Sequence, residues 1–327
     1  MSTVFRSLWA LALLAVAPIA PAQPSTVAPA IAQPVRIVVP YYNTDFDDSV
    51  ARIVIDQLGL TARRPFAIQN RPGDNAHYGA EVVAKARSDG LTLLFAPLVH
   101  YAAAVNQYSR LYYDLLAEFT PVTLIGNAPH ALVVHPALRM TTVANVIALA
   151  KARPGQINWG SYGAASLSRL EMEMFTQLSG IKIDSEPVND RRVGISELLS
   201  GNSALLFDSI ATVLPLSQSG RLRVLAVAGA KRSPALPQVP TVAESGVRGF
   251  EADYWYCILA PEGVDSAMVK SLNEDFSRAV SSDEVRKRLL SYGVEARTST
   301  PADLAKITRS EVTKWEKVIK QAGIAPK

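Results

Sequence analysis

Apolar residues along the chain alternate between two patterns that begin after residue 34. Short runs, such as residues 35–39 and 91–95, are almost wholly apolar, which is typical of buried strands. The stretch after the first run places Val50, Ile53 and Leu58 three to five positions apart, as expected on the buried face of a helix. The order strand–helix–strand–helix–strand predicts an α/β fold with a mostly parallel sheet covered by helices.

The same alternation restarts after residue 131. Helices are predicted between a second set of strands at residues 132–134, 157–160, 204–207 and 224–227. A strand at residues 254–259 and three helices follow, and the last helix starts at Thr300, a residue type that favours helix N-caps.

Two arrays of strands and helices predict two lobes. We expect lobe 1 to comprise residues 33–131 and 258–327, and lobe 2 to comprise residues 132–257. No low-complexity linker separates the two arrays. The segments that cross between the lobes are therefore expected to act as a hinge.

The N-terminus has the pattern of a secretory signal peptide. Arg6 supplies a positive charge, residues 8–19 are almost entirely apolar, and residues 20–22 (Ala-Pro-Ala) fit the small-x-small cleavage pattern. A second such pattern at residues 30–32 permits a later cut, so the signal peptide is assigned to 1–22 with cleavage as late as 32. The apolar run is too short to span a bilayer, and we expect export to the periplasm.

Composition narrows the class of protein further. The 327 residues carry a net charge of +4 without a block of Lys and Arg, so no nucleic-acid partner is expected. Cys257 is the single cysteine, which excludes an intramolecular disulfide. It stands in an apolar, strand-like run, which predicts a buried packing role. We expect a monomer without a cofactor.

Enzyme motifs are mostly absent. The four histidines show no zinc-ligand spacing, and residues 160–163 (Gly-Ser-Tyr-Gly) lack the spacing of a nucleophile elbow. A metal-dependent hydrolase built on Asp45, His77 and His100 is the enzymatic alternative. The leading interpretation is that the protein is not an enzyme.

Four loops follow predicted strands at the sheet edges where α/β proteins bind ligands: residues 40–48, 70–79, 96–101 and 160–169. Helices that start there offer free N–H groups to an anion. Asp47 or Asp48, and Ser166, are also read as helix caps, and His77 and Arg169 as surface residues. The candidate ligand-binding residues are Tyr41, Tyr42, Asn43, Thr44, Asp45, His77, Pro97, His100, Ser161, Ser166, Arg169 and Asp208.

Several segments resemble the Bug-type receptors of tripartite tricarboxylate transporters. The resemblance covers nearly the whole mature chain and is strongest in residues 221–246, with further pieces at 38–41, 70–73, 79–86, 89–94, 119–122 and 154–161. It implies a two-lobe periplasmic binding protein fold, type II-like, with a hinge of two crossing strands. It also implies a cleft that closes on a small carboxylate and delivers it to a membrane permease.

The cleft loops depart from the family pattern. Residues 43–45 (Asn-Thr-Asp) replace a small, Gly-rich stretch, residues 97–100 (Pro-Leu-Val-His) replace small hydroxyl residues, and Arg169 stands where His is common. Asp45 brings a negative charge that repels a carboxylate unless Arg169 pairs with it.

We therefore expect atypical specificity, for a zwitterionic, cationic or aromatic ligand stacked on Tyr41 or Tyr42. The same departures are also consistent with a receptor that has lost ligand binding. A receptor that feeds a sensor protein rather than a permease is an alternative that the sequence leaves open.

Overall fold

A computed structural model describes residues 33–73, 76–162, 166–188 and 191–326, without the side chains of residues 161, 162, 186–188, 191 and 192. The predicted signal peptide lies outside these residues. The strands are β1 (Val35–Val39), β2 (Phe66–Asn70), β3 (Thr92–Pro97), β4 (Phe119–Asn127), β5 (His130–Val134), β6 (Asn158–Tyr162), β7 (Asp184–Val188), β8 (Leu205–Ser209), β9 (Arg223–Val227), β10 (Trp255–Pro261) and β11 (Glu295–Ala296).

Helices alternate with these strands, as the apolar periodicity predicts. They are α1 (Phe46–Thr61), α2 (His77–Ala84), α3 (Leu98–Gln107), α4 (Val143–Ala152), α5 (Leu167–Ser179), α6 (Arg191–Ser200), α7 (Ile210–Gln218), α8 (Ser266–Val280), α9 (Asp283–Ser291) and α10 (Pro301–Gln321). In α1 the predicted apolar face is the buried one. Thr300 caps α10 by accepting a hydrogen bond from Asp303 N at 3.1 Å.

The strands form two sheets, which gives the predicted two-lobe α/β fold. The first sheet has the order β11-β4-β10-β3-β1-β2 and the second the order β7-β6-β8-β5-β9. Strands β1, β2 and β3 are parallel, as are β6, β7 and β8. Strand β10 runs antiparallel to β3 and β4, and β5 antiparallel to β8 and β9, so both sheets are mixed rather than mostly parallel.

The chain crosses between the sheets twice. It leaves the first sheet at the end of β4 and enters β5 through Ala128 and Pro129. It returns through residues 228–254 into β10, and the two crossings are hydrogen-bonded, since Ala128 N donates to Tyr254 O at 2.9 Å. Every residue of β10 is buried, Cys257 included, so its predicted packing role is confirmed.

The third predicted loop is shorter than residues 96–101. Strand β3 runs through Pro97, and helix α3 begins at the next residue, Leu98. His100 therefore lies in the first turn of a helix. A short apolar run bounded by Pro does not reveal from sequence alone whether a helix or a loop follows. No helix among the described residues is long and apolar enough to cross a membrane.

Candidate functional site

The β1–α1 loop, residues 40–45, holds itself in place through its own backbone. Tyr42 N donates to Asp45 Oδ2 at 2.9 Å, and Asp45 N donates to Tyr42 O at 3.0 Å. Tyr42, Asn43 and Thr44 are exposed. Asp45 stands at the N-cap position of α1, although its side chain makes no cap hydrogen bond. The Asp45 carboxylate is thus committed in part to the loop rather than aimed wholly at a ligand.

Tyr41 and His100, both predicted from the sequence, come together. Tyr41 Oη lies 2.9 Å from His100 Nδ1. Burial, and next to it the neighbouring Tyr254, raise the pKa of Tyr41 well above its usual value. Burial, with His77 and His130 nearby, lowers the pKa of His100 to about 4. The imidazole is therefore neutral near pH 7 and offers one hydrogen-bond donor and one acceptor.

Asp47 is a residue that the sequence reading assigned to a helix cap, and the structure gives it a different role. Its Oδ1 accepts from Tyr256 Oη at 2.7 Å and from Tyr254 Oη at 3.2 Å. Burial and then the Asp47 charge raise the pKa of Tyr254 well above its usual value. Asp47 thus connects the start of α1 to the second crossing between the sheets.

Tyr254 is the centre of these contacts. Its ring packs edge-on against His100, with centroids 5.6 Å apart, and lies nearly parallel to the His130 ring at 5.9 Å. His130 is the first residue of β5 in the second sheet, while His100 follows β3 in the first. Tyr254 therefore joins polar groups of both sheets.

Glu171 connects these contacts, through His130, to helix α5. It is the fifth residue of α5 and fully buried, with Oε2 at 2.8 Å from His130 Nδ1. Burial raises the pKa of Glu171, His130 opposes that rise, and the nearby Asp208 adds to it. Asp208, a predicted site residue, lies near Glu171. Its Oδ1 accepts a hydrogen bond from Ser209 N at 2.6 Å.

We call Tyr41, Asp47, His100, His130, Glu171 and Tyr254 the inter-sheet network. Four of its six members were not among the sequence candidates. Glu171 had a readable signal, because it is a carboxylate in the apolar stripe of Leu167, Leu170 and Met174. The sequence also contains a signal for Tyr254 and Tyr256. Alternate residues of a strand lie on the same face, and two buried phenols on one face need polar partners. His130 had no local signal.

His77 lies apart from the β1–α1 loop in a cluster of tyrosines. It is the first residue of α2, is buried, and has Nδ1 at 2.6 Å from Tyr113 Oη. Its ring also packs edge-on against Tyr108, with centroids 4.7 Å apart. The alternative interpretation of His77 as a surface loop residue was wrong, because this aromatic cluster encloses the ring. Its assignment to the ligand site stays a prediction.

Ser166 and Arg169 serve helix α5. Ser166 is the N-cap, and its Oγ accepts from Arg169 N at 3.2 Å, whereas the Arg169 guanidinium lies 3.7 Å from Glu173 of the same helix. No ion pair within the described residues joins Arg169 to Asp45.

One candidate, Ser161, has a side chain that lies outside the described part of the structure. Among the residues that the structure does describe, no group of three or more His, Cys, Asp or Glu side chains is placed to bind a metal ion. The three residues of the hydrolase alternative have separate partners: Tyr42 for Asp45, Tyr113 for His77 and Tyr41 for His100.

The helices that follow the parallel strands of the two sheets differ in their caps. Neither α1 nor α3, which follow β1 and β3 of the first sheet, has a side-chain cap hydrogen bond. In the second sheet Ser166 caps α5, and Ser209 caps α7 by accepting from Thr212 N. An uncapped N-terminus leaves backbone N–H groups for another acceptor. Of these two helices, α3 begins without an acid in its first turn, whereas α1 begins with Asp47 and Asp48.

Comparisons with known proteins agree with this architecture. Residues 50–324 match the family model described as Tripartite tricarboxylate transporter family receptor. The protein BugT of Bordetella pertussis is 30% identical over 296 residues, which are 89% of this chain and 90% of BugT.

Solved structures of similar proteins include two with carboxylates. Rpa4515 of R. palustris, solved with adipate, is 34% identical with a TM-score of 0.77, covering 90% of this chain and 98% of that one. MatC of Rhodopseudomonas palustris, with bound malate, is 27% identical with a TM-score of 0.72, covering 88% and 98%. Family and fold are thus those of periplasmic solute-binding receptors.

Proposed function

The chain belongs to the receptor family of the tripartite tricarboxylate transporters, and on that premise we propose that it is an extracytoplasmic solute-binding protein for a small organic carboxylate. In this proposal the ligand lies between lobe 1, residues 33–131 and 258–327, and lobe 2, residues 132–257. Closure about the two crossings would enclose it, as in other two-lobe receptors.

One observation carries the proposal: two uncapped helix N-termini lie at one edge of the first sheet, beside the Tyr41–His100 pair. Helices α1 and α3 follow β1 and β3, which are neighbours in the sheet. The start of α3 presents N–H groups and a positive dipole end at that edge, and it carries no acid in its first turn. At the start of α1 the acids Asp45, Asp47 and Asp48 already stand at the positive end of the helix. Tyr41 and His100 add neutral hydrogen-bonding groups. Such a set favours an anion of modest size.

The carboxylates bound by Rpa4515 and MatC support the same class of ligand. The substituted loop residues 43–45 and His100 distinguish this chain's binding surface. We propose that specificity is altered accordingly, toward an acid that also carries an aromatic or amino group. The exposed ring of Tyr42 and the partly buried ring of Tyr41 offer stacking surfaces.

A thermal-shift panel of adipate, malate, aromatic acids, amino acids and amines tests the ligand class. Carboxylates should raise the melting temperature by mass action, and Tyr41→Phe should reduce that shift. Tyr112→Phe, which changes an exposed tyrosine, is the matched control and should leave the shift unchanged. A response to amines alone would contradict the proposal, and a large response to simple dicarboxylates alone would contradict the altered specificity.

Localisation and partners are part of the proposal. The signal-peptide pattern supports export to the periplasm, and family membership supports handover to membrane permease subunits. A sensor protein as the recipient is the alternative. Pull-down from membranes with and without ligand separates the two, because the captured partner is either an integral permease subunit or a sensor. Mass spectrometry of natively purified protein would identify a co-purified ligand.

A further inference from the structure

His130 and Glu171 form a buried pair beside the second crossing. His130 Nδ1 and Glu171 Oε2 are 2.8 Å apart, the His130 side chain is 12% exposed, and the Glu171 side chain is fully buried. The His130 ring is held against Tyr254. No described residue forms a hydrogen bond with His130 Nε2. The imidazole therefore has one nitrogen fixed by Glu171 and the other available to a ligand.

The buried side of the pair is incompletely satisfied. Glu171 Oε1 and Ser168 Oγ, both inaccessible to solvent, have no hydrogen-bond partner within the described part of the chain. A buried carboxylate in that state is costly, and the cost falls when the pair holds one additional proton. The structure thus favours a pair that takes up a proton more readily than an exposed carboxylate does.

The position of that proton decides what His130 presents to a ligand. Without it, Nδ1–H donates to the Glu171 carboxylate, and Nε2 is a bare acceptor that repels an anion. With it, Nε2 carries a hydrogen, either as neutral imidazole beside protonated Glu171 or as imidazolium beside the carboxylate. The two loaded forms contain the same number of protons and differ only in which atom of the hydrogen bond holds one.

The charged groups around the pair are acids, or cations that are already paired with an acid. A positive charge offered to a ligand at this position therefore has to come from His130. Asp208 approaches from β8, and Lys314 from α10, where it is paired with Glu311 at 2.7 Å. From the first sheet come His100, which is neutral, and Asp47 through its hydrogen bond with Tyr254. Among the described cations of α5, Arg169 is paired with Glu173.

We propose that His130 and Glu171 form a proton-loaded anchor for a carboxylate of the ligand. The anion is held by Nε2–H of His130 once the pair carries its additional proton. If the pair is loaded beforehand, the proton on Glu171 moves to Nδ1 as the anion arrives. If it is not, one proton is taken from solvent and no other bond changes. This inference rests on the proposed function and adds the second sheet's contribution to it.

Isothermal titration calorimetry from pH 6 to 9, in buffers of different ionisation enthalpy, tests the anchor. The probe is the panel's best carboxylate, with adipate tested first. Wild-type protein should take up close to one proton per ligand at the alkaline end, where Kd should rise about tenfold per pH unit. Glu171→Gln and His130→Asn should each abolish this proton uptake, and the double variant should lose no more than either single one.

His135→Asn is the matched control, since His135 follows the opposite end of β5. It should keep the wild-type proton uptake, and circular dichroism should show every variant folded. Uptake that is absent from wild-type, or that persists in either single variant, overturns the anchor while leaving carboxylate binding intact. Failure of wild-type protein to bind any carboxylate overturns the proposed function as well.

Discussion

The parallel strands of the two sheets lead into helices that start in different ways. On the first sheet, α1 and α3 begin without a side-chain cap, at Asp45 and Pro97. On the second, the serines Ser166 and Ser209 cap α5 and α7. The start of α3 thus leaves backbone donors for an anion, whereas α5 and α7 use serine hydroxyl oxygens on theirs. A ligand anion should draw backbone contacts from lobe 1 and its side-chain anchor from lobe 2.

The inter-sheet network links these two edges. Its members come from the β1–α1 loop, α1, α3, β5, α5 and the second crossing, and Tyr254 contacts groups of both sheets. The proposed ligand site lies beside the same contacts that hold the second crossing in place. Changes in the network should therefore affect stability and binding together, whereas changes at residues 42–45 of the β1–α1 loop should affect mainly binding.

The largest effect is expected from Asp47→Ala. The change leaves the phenols of Tyr254 and Tyr256 without their shared acceptor in a buried position. We expect the free energy of unfolding to fall by about 2–3 kcal/mol, measured by urea denaturation. Asp45→Ala is the matched control and should cost less than about 1 kcal/mol, because that carboxylate is partly exposed. Equal losses in the two variants would contradict the distinction between network and loop.

The second effect concerns His100 and acid. Its pKa is about 4 in the folded protein and near 6.5 when unfolded, so between these values the unfolded chain binds a proton that the native protein does not. The stability that neutral His100 contributes is complete above pH 6.5 and is lost as the pH falls toward 4.

His100→Gln should remove this loss, which is on the order of 2 kcal/mol, from the difference in unfolding free energy between pH 6.5 and pH 4.5. Glu171, whose pKa burial raises, acts in the opposite direction, so the comparison is made between variants rather than on wild-type protein alone. His135→Gln should retain the wild-type acid dependence. If His100→Gln retains it too, His100 is not the group responsible.

A third test adds a cap to the first sheet. In Pro97→Ser the new hydroxyl can accept the free N–H groups at the start of α3, as Ser166 does for α5. Calorimetry should show carboxylate affinity falling about tenfold while the melting temperature is kept or raised. Ser166→Ala is the converse: it should cost about 1 kcal/mol of stability with little change in affinity. Unchanged affinity in Pro97→Ser would remove α3 from the ligand site.

The fold was readable because its signals are local. Apolar runs and periodicities predicted most strands and helices, and Thr300 marked the start of α10. Tyr41 and His100 were found because residues after parallel strands meet at one edge. Asp47 was misread because acids near a helix start are usually favourable to the helix dipole, while its real partners lie more than 200 residues away in β10 or beside it. His130 and Glu171 depend on a similar long-range meeting of strand and helix.

The smallest effect is expected from Asp45, the residue that most separates the β1–α1 loop from the family pattern. Asp45→Asn keeps a side-chain acceptor for Tyr42 N and removes the charge. The Asp45 carboxylate is partly exposed, so its repulsion of a ligand carboxylate about 4 Å away costs only about 1 kcal/mol. Carboxylate affinity should therefore improve by no more than about fivefold. Asp45→Gly removes the acceptor as well as the charge. A gain in affinity seen only in Asp45→Asn would show that the charge matters, whereas a larger gain in Asp45→Gly would show that the volume of the side chain matters. No change in either variant would show that residue 45 does not set ligand preference.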